Sequence, residues 1–359
     1  MGVYIAMTIC SVFFSALANI NTYEKKRYTI NIKLLFWYLS EIVLIIVAAI
    51  RYDVGQDYMY TYVPYFNGLL VGYVNEDIEK GFWLLNKIVQ LFTKDYAGIF
   101  IVCSVIFFHY IYKAIREQSK MPTLSVFLLI GTTYYFVFLN TMRQMMVVAI
   151  FLYSIKYIKE RNLKKFIMYM ILASTIHVSA LICIPLYFIY GLKIRPIKAL
   201  ILLAISIVVK PIVSSLVLTL IKLTKYNYYI DSRFDTGEAG NIVLLINVCV
   251  LLFALIYYIK KNKKNEVIEK DYSYYCSLQL ISTILAWYNN TIPLLNRIRW
   301  ATGISIIILI PLIIKQEKNV KTQIVYTFFI VVLYSIYALY TVGINNANSV
   351  LPYLTIFQR

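Results

Sequence analysis

Apolar runs long enough to cross a bilayer recur along this sequence, and they constrain its fold more than any other feature. A membrane-spanning helix needs about 20 mostly apolar residues. Runs near that length lie at about residues 3–20, 32–50, 96–114, 122–139, 142–158, 165–190, 197–222, 241–259, 272–288, 299–314 and 322–342. Because lipid offers the backbone no hydrogen-bond partner, such runs span as helices. We therefore predict an all-α, polytopic integral membrane protein with about ten to twelve transmembrane helices.

Composition supports this class and excludes others. Hydrophobic residues make up 61% of the chain, whereas a soluble domain is usually ~45–50% apolar. The net charge of +18 does not indicate nucleic-acid binding, because the lysines lie in short loops between apolar runs. The cysteines are isolated, and no second histidine or cysteine stands at ligand spacing, so we expect no metal and no cofactor. With no repeat or soluble segment, residues 1–359 are predicted to form one integral membrane domain.

Basic residues in the loops predict the orientation, since positively charged loops stay on the cytoplasmic side. The predicted cytoplasmic loops lie around residues 25–33, 113–120, 156–165, 260–270 and 315–321. Both termini and the loops 51–95, 223–240 and 289–298 then face outward. Residues 165–222 must cross an odd number of times although they contain two apolar runs. At least one segment is therefore broken or re-entrant, with candidate breaks at residues 174–177 and 210–211.

The predicted outer loop 51–95 is the longest connection. It opens with Arg51, Asp53 and Asp57 around a glycine, directly after an apolar run, which indicates a charged site at a membrane face. Residues 81–92 are apolar but too few to span, so we predict an interfacial helix there.

Arginines recur at the predicted outer face, where the positive-inside rule does not explain them. They are Arg51, Arg143, Arg233, Arg297 and Arg299. A guanidinium binds phosphate oxygens through paired hydrogen bonds and stays charged in a partly dry site. Structural explanations also exist, because Arg51 could pair with Asp53 or Asp57, and Arg143 could extend to lipid headgroups.

Two histidines lie in apolar runs. His177 follows Ser174-Thr175-Ile176, and His109 lies among aromatic residues. A lone histidine in an apolar run is more often a structural residue than a reactive one, and this interpretation suits His109 better than His177.

Four short motifs interrupt the apolar pattern in a fixed order. They are Arg51-x-x-x-Gly55-x-Asp57-Tyr58-x-x-x-Tyr62, Glu79-x-Gly81-Phe82, Asn140-x-x-Arg143-Gln144, and Ile176-His177-x-Ser179-Ala180-Leu181 with Pro185. Together they resemble the motifs of the EpsG family, whose members are Wzy-like polymerases of bacterial polysaccharides, and the resemblance covers most of the chain. Arg233-Phe234 is similar to a later family motif, although the residues that follow it depart from the family pattern.

The resemblance implies a membrane glycosyltransferase that works without a metal. It would join oligosaccharide repeat units, carried on undecaprenyl diphosphate, into a capsule, exopolysaccharide or O-antigen at the outer face of the bacterial cytoplasmic membrane. The implied partners are that lipid-linked substrate, the lipid bilayer, and chain-length regulator and flippase proteins.

The implied reaction needs a base for the acceptor hydroxyl and charge stabilisation on the leaving diphosphate. The catalytic candidates are His177, Asp57 and Glu79. The candidates for diphosphate binding are Arg51, Arg143, Gln144, Arg233, Arg297 and Arg299.

Two other functions use similar groups. A flippase or transporter of lipid-linked sugars also needs phosphate-binding arginines, but it should carry polar residues through the depth of its pathway, whereas here they gather at one face. A polymer ligase or related membrane glycosyltransferase shares the chemistry and differs in its acceptor.

Overall fold

Helices form nearly all of the fold, as predicted. The computed structural model describes residues 1–20, 26–73, 75–224, 227, 230, 241–289 and 291–359. In this part of the chain the only strands are β1 (Arg51–Tyr52) and β2 (Leu354–Thr355), an antiparallel pair with Arg51 opposite Thr355. The all-α prediction is therefore confirmed.

The α-helices follow one another with short connections. They are α1 (Gly2–Asn19), α2 (Lys26–Ala49), α3 (Val63–Leu70), α4 (Lys80–Phe92), α5 (Ala97–Gln118), α6 (Pro122–Gly131), α7 (Tyr134–Asn140), α8 (Met142–Lys159), α9 (Leu163–Ser174), α10 (Pro196–Lys222), α11 (Asn241–Lys263), α12 (Lys270–Tyr288), α13 (Leu295–Gly303), α14 (Ile306–Lys315) and α15 (Val320–Ala338). A 3₁₀ helix (Val178–Tyr187) follows α9, and π-helical turns occupy Tyr58–Tyr62 and Leu339–Ile344.

Seven helices among the described residues are long and apolar enough to cross a membrane, which confirms a polytopic membrane protein. They are α1, α2 from Ile32, α5, α10, α11, the continuous Leu295–Lys315 segment, and α15 with its extension to Ile344. An eighth span results if α6 and α7, which meet at a 51° bend, are counted together. The other three predicted runs are helical as well, in α8, α12 and α9 with its 3₁₀ continuation, but they carry more charge, more polar residues or a break.

The basic loops meet at one end of the bundle, here called the lysine-rich end. It comprises residues 113–120, 156–165, 190–198, 260–271 and 315–321. Ion pairs join these loops to one another: Lys156 with Glu117 at 2.9 Å, Lys159 with Asp271 at 3.0 Å, and Lys260 with Glu317 at 2.7 Å. A shared basic end is what the predicted orientation requires.

The apolar run at residues 165–190 forms a hairpin that returns to the lysine-rich end. α9 ends at Ser174, the chain turns at residues 175–177, and the 3₁₀ helix runs back against α9. Beyond it, Nη2 of Arg161 donates to the carbonyl oxygen of Tyr190 at 2.6 Å. Because Arg161 precedes α9, both ends of this hairpin lie at the same end of the bundle.

The hairpin explains how residues 165–222 can cross an odd number of times although they contain two apolar runs. The hairpin returns to the end of the bundle from which it started, which leaves α10 as the one helix between residues 165 and 222 that is long and apolar enough to cross. The break falls at residues 175–177 and not at residues 210–211, because α10 continues through Pro211. The helix Lys80–Phe92 is also present where an interfacial helix is predicted.

α8 is the central helix. Every residue from 144 to 155 is buried, as expected for a helix that is apolar on all sides. Its charged residues therefore occur at its two ends, with Arg143 at the beginning and Lys159 at the lysine-rich end.

Candidate functional site

Glu79 joins three elements at the end of the bundle opposite the lysine-rich end. Its Oε2 accepts a hydrogen bond from Nη1 of Arg143 at 2.6 Å, at the start of α8. Its Oε1 lies 2.7 Å from Nδ1 of His177, at the tip of the hairpin, and also accepts from the backbone N–H of Val178 at 3.0 Å. One carboxylate thus holds a guanidinium and an imidazole in fixed positions.

A close backbone contact brings Glu79 to the hairpin tip. Glu79 directly precedes α4, and the N–H groups of Gly81 and Phe82 donate to the carbonyl oxygen of Thr175 at 2.8 and 3.2 Å. A Cβ at position 81 would lie 2.6 Å from that oxygen and 2.3 Å from Oγ1 of Thr175. Only glycine permits this approach, which explains the Glu79-x-Gly81 spacing.

A glycine turn places Asp57 at the same site. Gly55 has φ +95° and its Cβ position lies 2.5 Å from the carbonyl oxygen of Leu139. The N–H of Asp57 then donates to Oδ1 of Asn140 at 3.0 Å. Burial raises the pKa of the Asp57 carboxyl to about 6, against the charges of Arg143 and Arg297, which lower it.

The pKa of Glu79 moves the other way. Burial alone would raise it, but the hydrogen bonds from His177 and the Val178 N–H, together with the charges of His177 and Arg143, lower it to about 2. Glu79 is therefore an anion at every physiological pH, whereas Asp57 changes charge near neutrality.

Gln144 links the central helix to the hairpin and to α13. Its Nε2 donates to the carbonyl oxygen of Arg297 at 3.2 Å, and its Oε1 accepts from the hydroxyl of Ser179 at 2.8 Å. Because Gln144 is buried and both ends of its amide are used, it positions α13 and the hairpin around Arg143.

The structure brings six of the predicted residues together. We call this group the candidate site: Asp57, Glu79, Arg143, Gln144, His177 and Arg297.

Arg51 lies beside this group, fully buried. Backbone carbonyls hold its guanidinium: Nη1 donates to Ala48 and Nη2 to Leu139 at 3.3 Å. The guanidinium carbon is 4.7 Å from the ring centroid of Phe100. Nη2 also donates to the Met142 sulfur at 3.0 Å. The described contacts of Arg51 are thus with carbonyls, a sulfur and rings, not with Asp53 or Asp57.

Arg299 lies elsewhere. Its Nε and Nη2 donate to Oδ1 of Asn296 at 3.1 and 2.9 Å, and it borders a cavity on another face of α13. Residues two apart on a helix do not face the same way, so Arg297 and Arg299 cannot serve one site equally. Arg233 falls outside the described residues.

Several neighbours of the site were not among the predicted catalytic or diphosphate-binding residues. The hydroxyl of Tyr62 is 3.5 Å from the backbone N of Arg143, and the ring centroid of Phe82 lies 5.5 Å from the Arg143 guanidinium carbon. Tyr62, Phe82 and Ser179 belong to the motifs noted in the sequence, so their spacing could have indicated them. The C-terminal chain offers no such signal, yet the carbonyl of Ser349 accepts from Gly55 N–H at 2.9 Å.

Chemically, the candidate site combines a group that can accept a proton with groups that can hold an anion. If neutral His177 donates from Nδ1 to Glu79, its Nε2 carries a free lone pair. Arg143 and Arg297 supply positive charge close to Asp57. Within the described residues no group of three His, Cys, Asp or Glu side chains could hold a metal ion.

Comparison with known families gives one match. The model of the EpsG family matches residues 34–355, a range that includes every residue of the candidate site. No curated protein and no solved structure matches the chain.

Proposed function

The chain belongs to the EpsG family, and from this premise we propose that it is a Wzy-like polymerase. It would join oligosaccharide repeat units, each carried on undecaprenyl diphosphate, into a bacterial surface polysaccharide. The observation that carries the proposal is the Glu79 carboxylate, which fixes Arg143 at 2.6 Å and His177 at 2.7 Å beside Asp57. This arrangement offers a base and a binding group for a diphosphate in one place.

The depth of the candidate site supports a lipid-linked substrate. Arg143 and Lys159 lie at opposite ends of α8, and 16 residues of helix span about 24 Å. The hydrocarbon core of a bilayer is about 30 Å thick. If the lysine-rich end is cytoplasmic, the site lies near the outer boundary of the cytoplasmic membrane, where a diphosphate headgroup would be found.

The exposed face of α4 supports the same location. Its buried face includes Phe82 and Val89. Its opposite face exposes an apolar stripe, Leu84, Ile88, Leu91 and Phe92. An amphipathic helix of this kind lies in a membrane interface, so we assign α4 to the outer interface, with Glu79 at the end that enters the site.

In the proposed reaction, the acceptor hydroxyl oxygen bonds to the anomeric carbon of the donor sugar. The bond from that carbon to the diphosphate oxygen breaks, and its electron pair leaves with the diphosphate. Nε2 of His177 takes the hydroxyl proton, while Arg143 and Arg297 stabilise the charge on the leaving group. Glu79 orients His177, because a carboxylate with a pKa of about 2 is a weak base.

Asp57 is the second candidate for the base, since its pKa of about 6 suits proton transfer near neutral pH. Gln144 and Arg51 are assigned to positioning through their contacts with the Arg297 and Leu139 carbonyls. A role of Arg233 in diphosphate binding stays a prediction, as do partnerships with chain-length regulator and flippase proteins.

The test is a reconstituted assay of the purified protein in liposomes with an undecaprenyl-diphosphate-linked oligosaccharide. A ladder of products on a gel is expected from the native protein, and it should persist with a chelator if no metal takes part. Arg143→Gln should abolish the ladder. Arg116→Gln, which removes the same charge at the lysine-rich end, should not.

Other outcomes would redirect the assignment. Substrate that appears across the bilayer without a ladder would indicate a flippase. Transfer to a different acceptor without a ladder would indicate a ligase. A full ladder from Arg143→Gln would contradict the proposed site.

A further inference from the structure

Three lysines and three tyrosines gather at the lysine-rich end, where α8 packs against both α5 and α9. We call this group the tyrosine–lysine cluster: Lys113 from α5, Tyr153, Lys156 and Tyr157 from α8, and Lys165 and Tyr169 from α9. The ring centroid of Tyr169 lies 5.6 Å from that of Tyr153 and 5.2 Å from that of Tyr157. The three rings therefore form one surface across α8 and α9.

The ammonium groups converge on two of these rings. Nζ of Lys113 and Nζ of Lys156 lie 4.9 and 4.2 Å from the ring centroid of Tyr153. Nζ of Lys156 and Nζ of Lys165 lie 5.0 and 5.6 Å from the ring centroid of Tyr157. Because Lys156 shares one ring with each of the other two lysines, three positive charges from three helices are held close together.

The positive charge of the cluster is only partly balanced. Among the described residues one carboxylate reaches it, since Oε2 of Glu117 lies 2.9 Å from Nζ of Lys156. In the same part of the chain, neither Lys113 nor Lys165 has a carboxylate within 4.0 Å. The rings attract the lysines through cation–π contacts, but these contacts leave the net charge unchanged. An anion among the lysines would lower the repulsion between them.

The lysines are accessible to such an anion, whereas the rings beneath them are buried. Lys156 keeps 22% of its side chain exposed, Lys113 is half-buried, and Lys165 is exposed. Tyr153 and Tyr157 are buried, and the hydroxyl of Tyr153 accepts a hydrogen bond from Nζ of Lys156 at 2.6 Å. The tyrosines thus position the ammonium groups, and the lysines form the surface that a ligand would meet.

The cluster lies near the depth of lipid headgroups. Tyr153 precedes Lys159, the last residue of α8, by six residues, which corresponds to about 9 Å of helix. Lys165, Met168 and Leu172 follow one another along one face of α9, at spacings of three and four residues, and the latter two are 58% and 52% exposed. This face therefore changes from cationic to apolar in the direction that leads from the headgroups into the hydrocarbon of a bilayer.

We propose that the tyrosine–lysine cluster binds one anionic phospholipid of the leaflet at the lysine-rich end. The phosphate of the lipid lies among Lys113, Lys156 and Lys165, and an acyl chain follows the exposed apolar face of α9. A free phosphate could use the same cations, but the apolar continuation of the site favours a lipid. Basic sites between helices recognise anionic lipid headgroups in this way. The inference goes beyond the proposed function, because the cluster lies at the end of α8 opposite Arg143.

The experiment is native mass spectrometry of the full-length protein, released from detergent after incubation with phosphatidylglycerol, with phosphatidylcholine or with inorganic phosphate. The native protein should bind one phosphatidylglycerol about tenfold or more tightly than phosphatidylcholine. Lys113→Gln combined with Lys165→Gln should weaken phosphatidylglycerol binding about tenfold or more, because each lysine near a membrane surface adds to the attraction of anionic lipid. Lys263→Gln combined with Lys264→Gln, a matched removal of two exposed lysines at the end of α11, should leave that binding unchanged.

Thermal unfolding in detergent separates a lipid site from a structural role. Because Lys113 and Lys165 have no carboxylate partner among the described residues, their replacement by glutamine should not change the unfolding temperature when no lipid is added. Phosphatidylglycerol should raise that temperature in the native protein and in the control variant, but not in the Lys113→Gln and Lys165→Gln variant. Lys113→Arg combined with Lys165→Arg keeps the charge and should keep phosphatidylglycerol binding.

Three results would contradict the proposal. Equal phosphatidylglycerol binding in the two glutamine double variants would overturn the site, as would equal binding of phosphatidylglycerol and phosphatidylcholine by the native protein. Inorganic phosphate that binds as tightly as phosphatidylglycerol would overturn the lipid as the occupant. These measurements do not depend on whether the protein forms polymer, so they are distinct from the test of the proposed function.

Discussion

At the scale of single residues, two carboxylates in one site have opposite environments. Glu79 receives hydrogen bonds from Arg143, from His177 and from the Val178 N–H. Asp57 is half-buried beside arginines that lower its pKa less than its partial burial raises it. Environments that separate the pKa values of neighbouring acids are a mark of acid–base sites. This contrast supports the proposed roles of Glu79 as an orienting anion and of Asp57 as a group that titrates.

Glu79→Gln should show how much the Glu79 carboxylate contributes to the stability of the fold. Its folded pKa of about 2 lies below the ordinary 4.5, so its contribution to the free energy of unfolding is complete above about pH 4.5 and is lost as the pH falls towards 2. Thermal unfolding in detergent, measured from pH 7 to pH 3, should show that the variant has a lower free energy of unfolding than the native protein. The difference should be about 2 kcal/mol at neutral pH and should shrink towards pH 3.

The matched control for this substitution is Glu117→Gln, which breaks an exposed pair with Lys156 at the lysine-rich end. A surface pair of this kind contributes at most about 1 kcal/mol. Equal losses in both variants, or a loss for Glu79→Gln that does not change with pH, would contradict the assignment.

Asp57→Asn should have the opposite effect on stability. The folded pKa of about 6 lies above the ordinary 3.8, so ionising Asp57 destabilises the fold, and the cost develops between about pH 4 and pH 6. The variant should match the native protein at pH 4 and unfold at a higher temperature at pH 7.5, while polymer formation falls. Lower stability at pH 7.5 would show that ionised Asp57 stabilises the fold.

At the scale of elements, the hairpin of α9 and the 3₁₀ helix matters most, because it carries His177 from the lysine-rich end to the candidate site. α4 packs its first turn on the hairpin tip through the Thr175 carbonyl. The distance between Glu79 and His177 therefore depends on how closely two backbones approach.

Gly81→Ala should move the first turn of α4 away from the tip of the hairpin. The new Cβ would lie 2.6 Å from the Thr175 carbonyl oxygen, so the backbones must shift, at a cost of about 1–3 kcal/mol. We expect a marked loss of polymer formation, measured in the reconstituted assay. Gly2→Ala is the control, because nothing lies within 4 Å of its Cβ position. Native activity in Gly81→Ala would mean that Glu79 need not hold His177.

At the scale of the whole molecule, the hairpin decides the topology. Its two ends lie together beside Arg161 and Tyr190, so the run at residues 165–190 enters from the lysine-rich end and returns there. The C-terminal chain packs at the opposite end, where Arg359 pairs with Asp95 at 2.7 Å and β2 pairs with β1, the strand that contains Arg51.

Cysteine labelling tests this topology. In a background without the five native cysteines, Lys164→Cys and Lys193→Cys flank the hairpin and should both be protected from an impermeant maleimide added to intact cells. Val71→Cys, which is exposed at the opposite end, should react. Labelling of Lys193→Cys alone among the first two would show that the run at residues 165–190 crosses the membrane.

The all-α membrane fold was determined by the sequence itself, because the length of an apolar run and the need to satisfy its backbone in lipid are local properties. The motifs also indicated five of the six residues of the candidate site, and the recurrence of arginines at the predicted outer face indicated the sixth, Arg297. Tertiary structure alone decided how they are used. Glu79 meets Arg143 and His177 across 64 and 98 residues of chain, and the side chains of Arg297 and Arg299 part because a helix turns between them. Contacts across such separations depend on the packing of whole helices, which no local pattern of residues specifies.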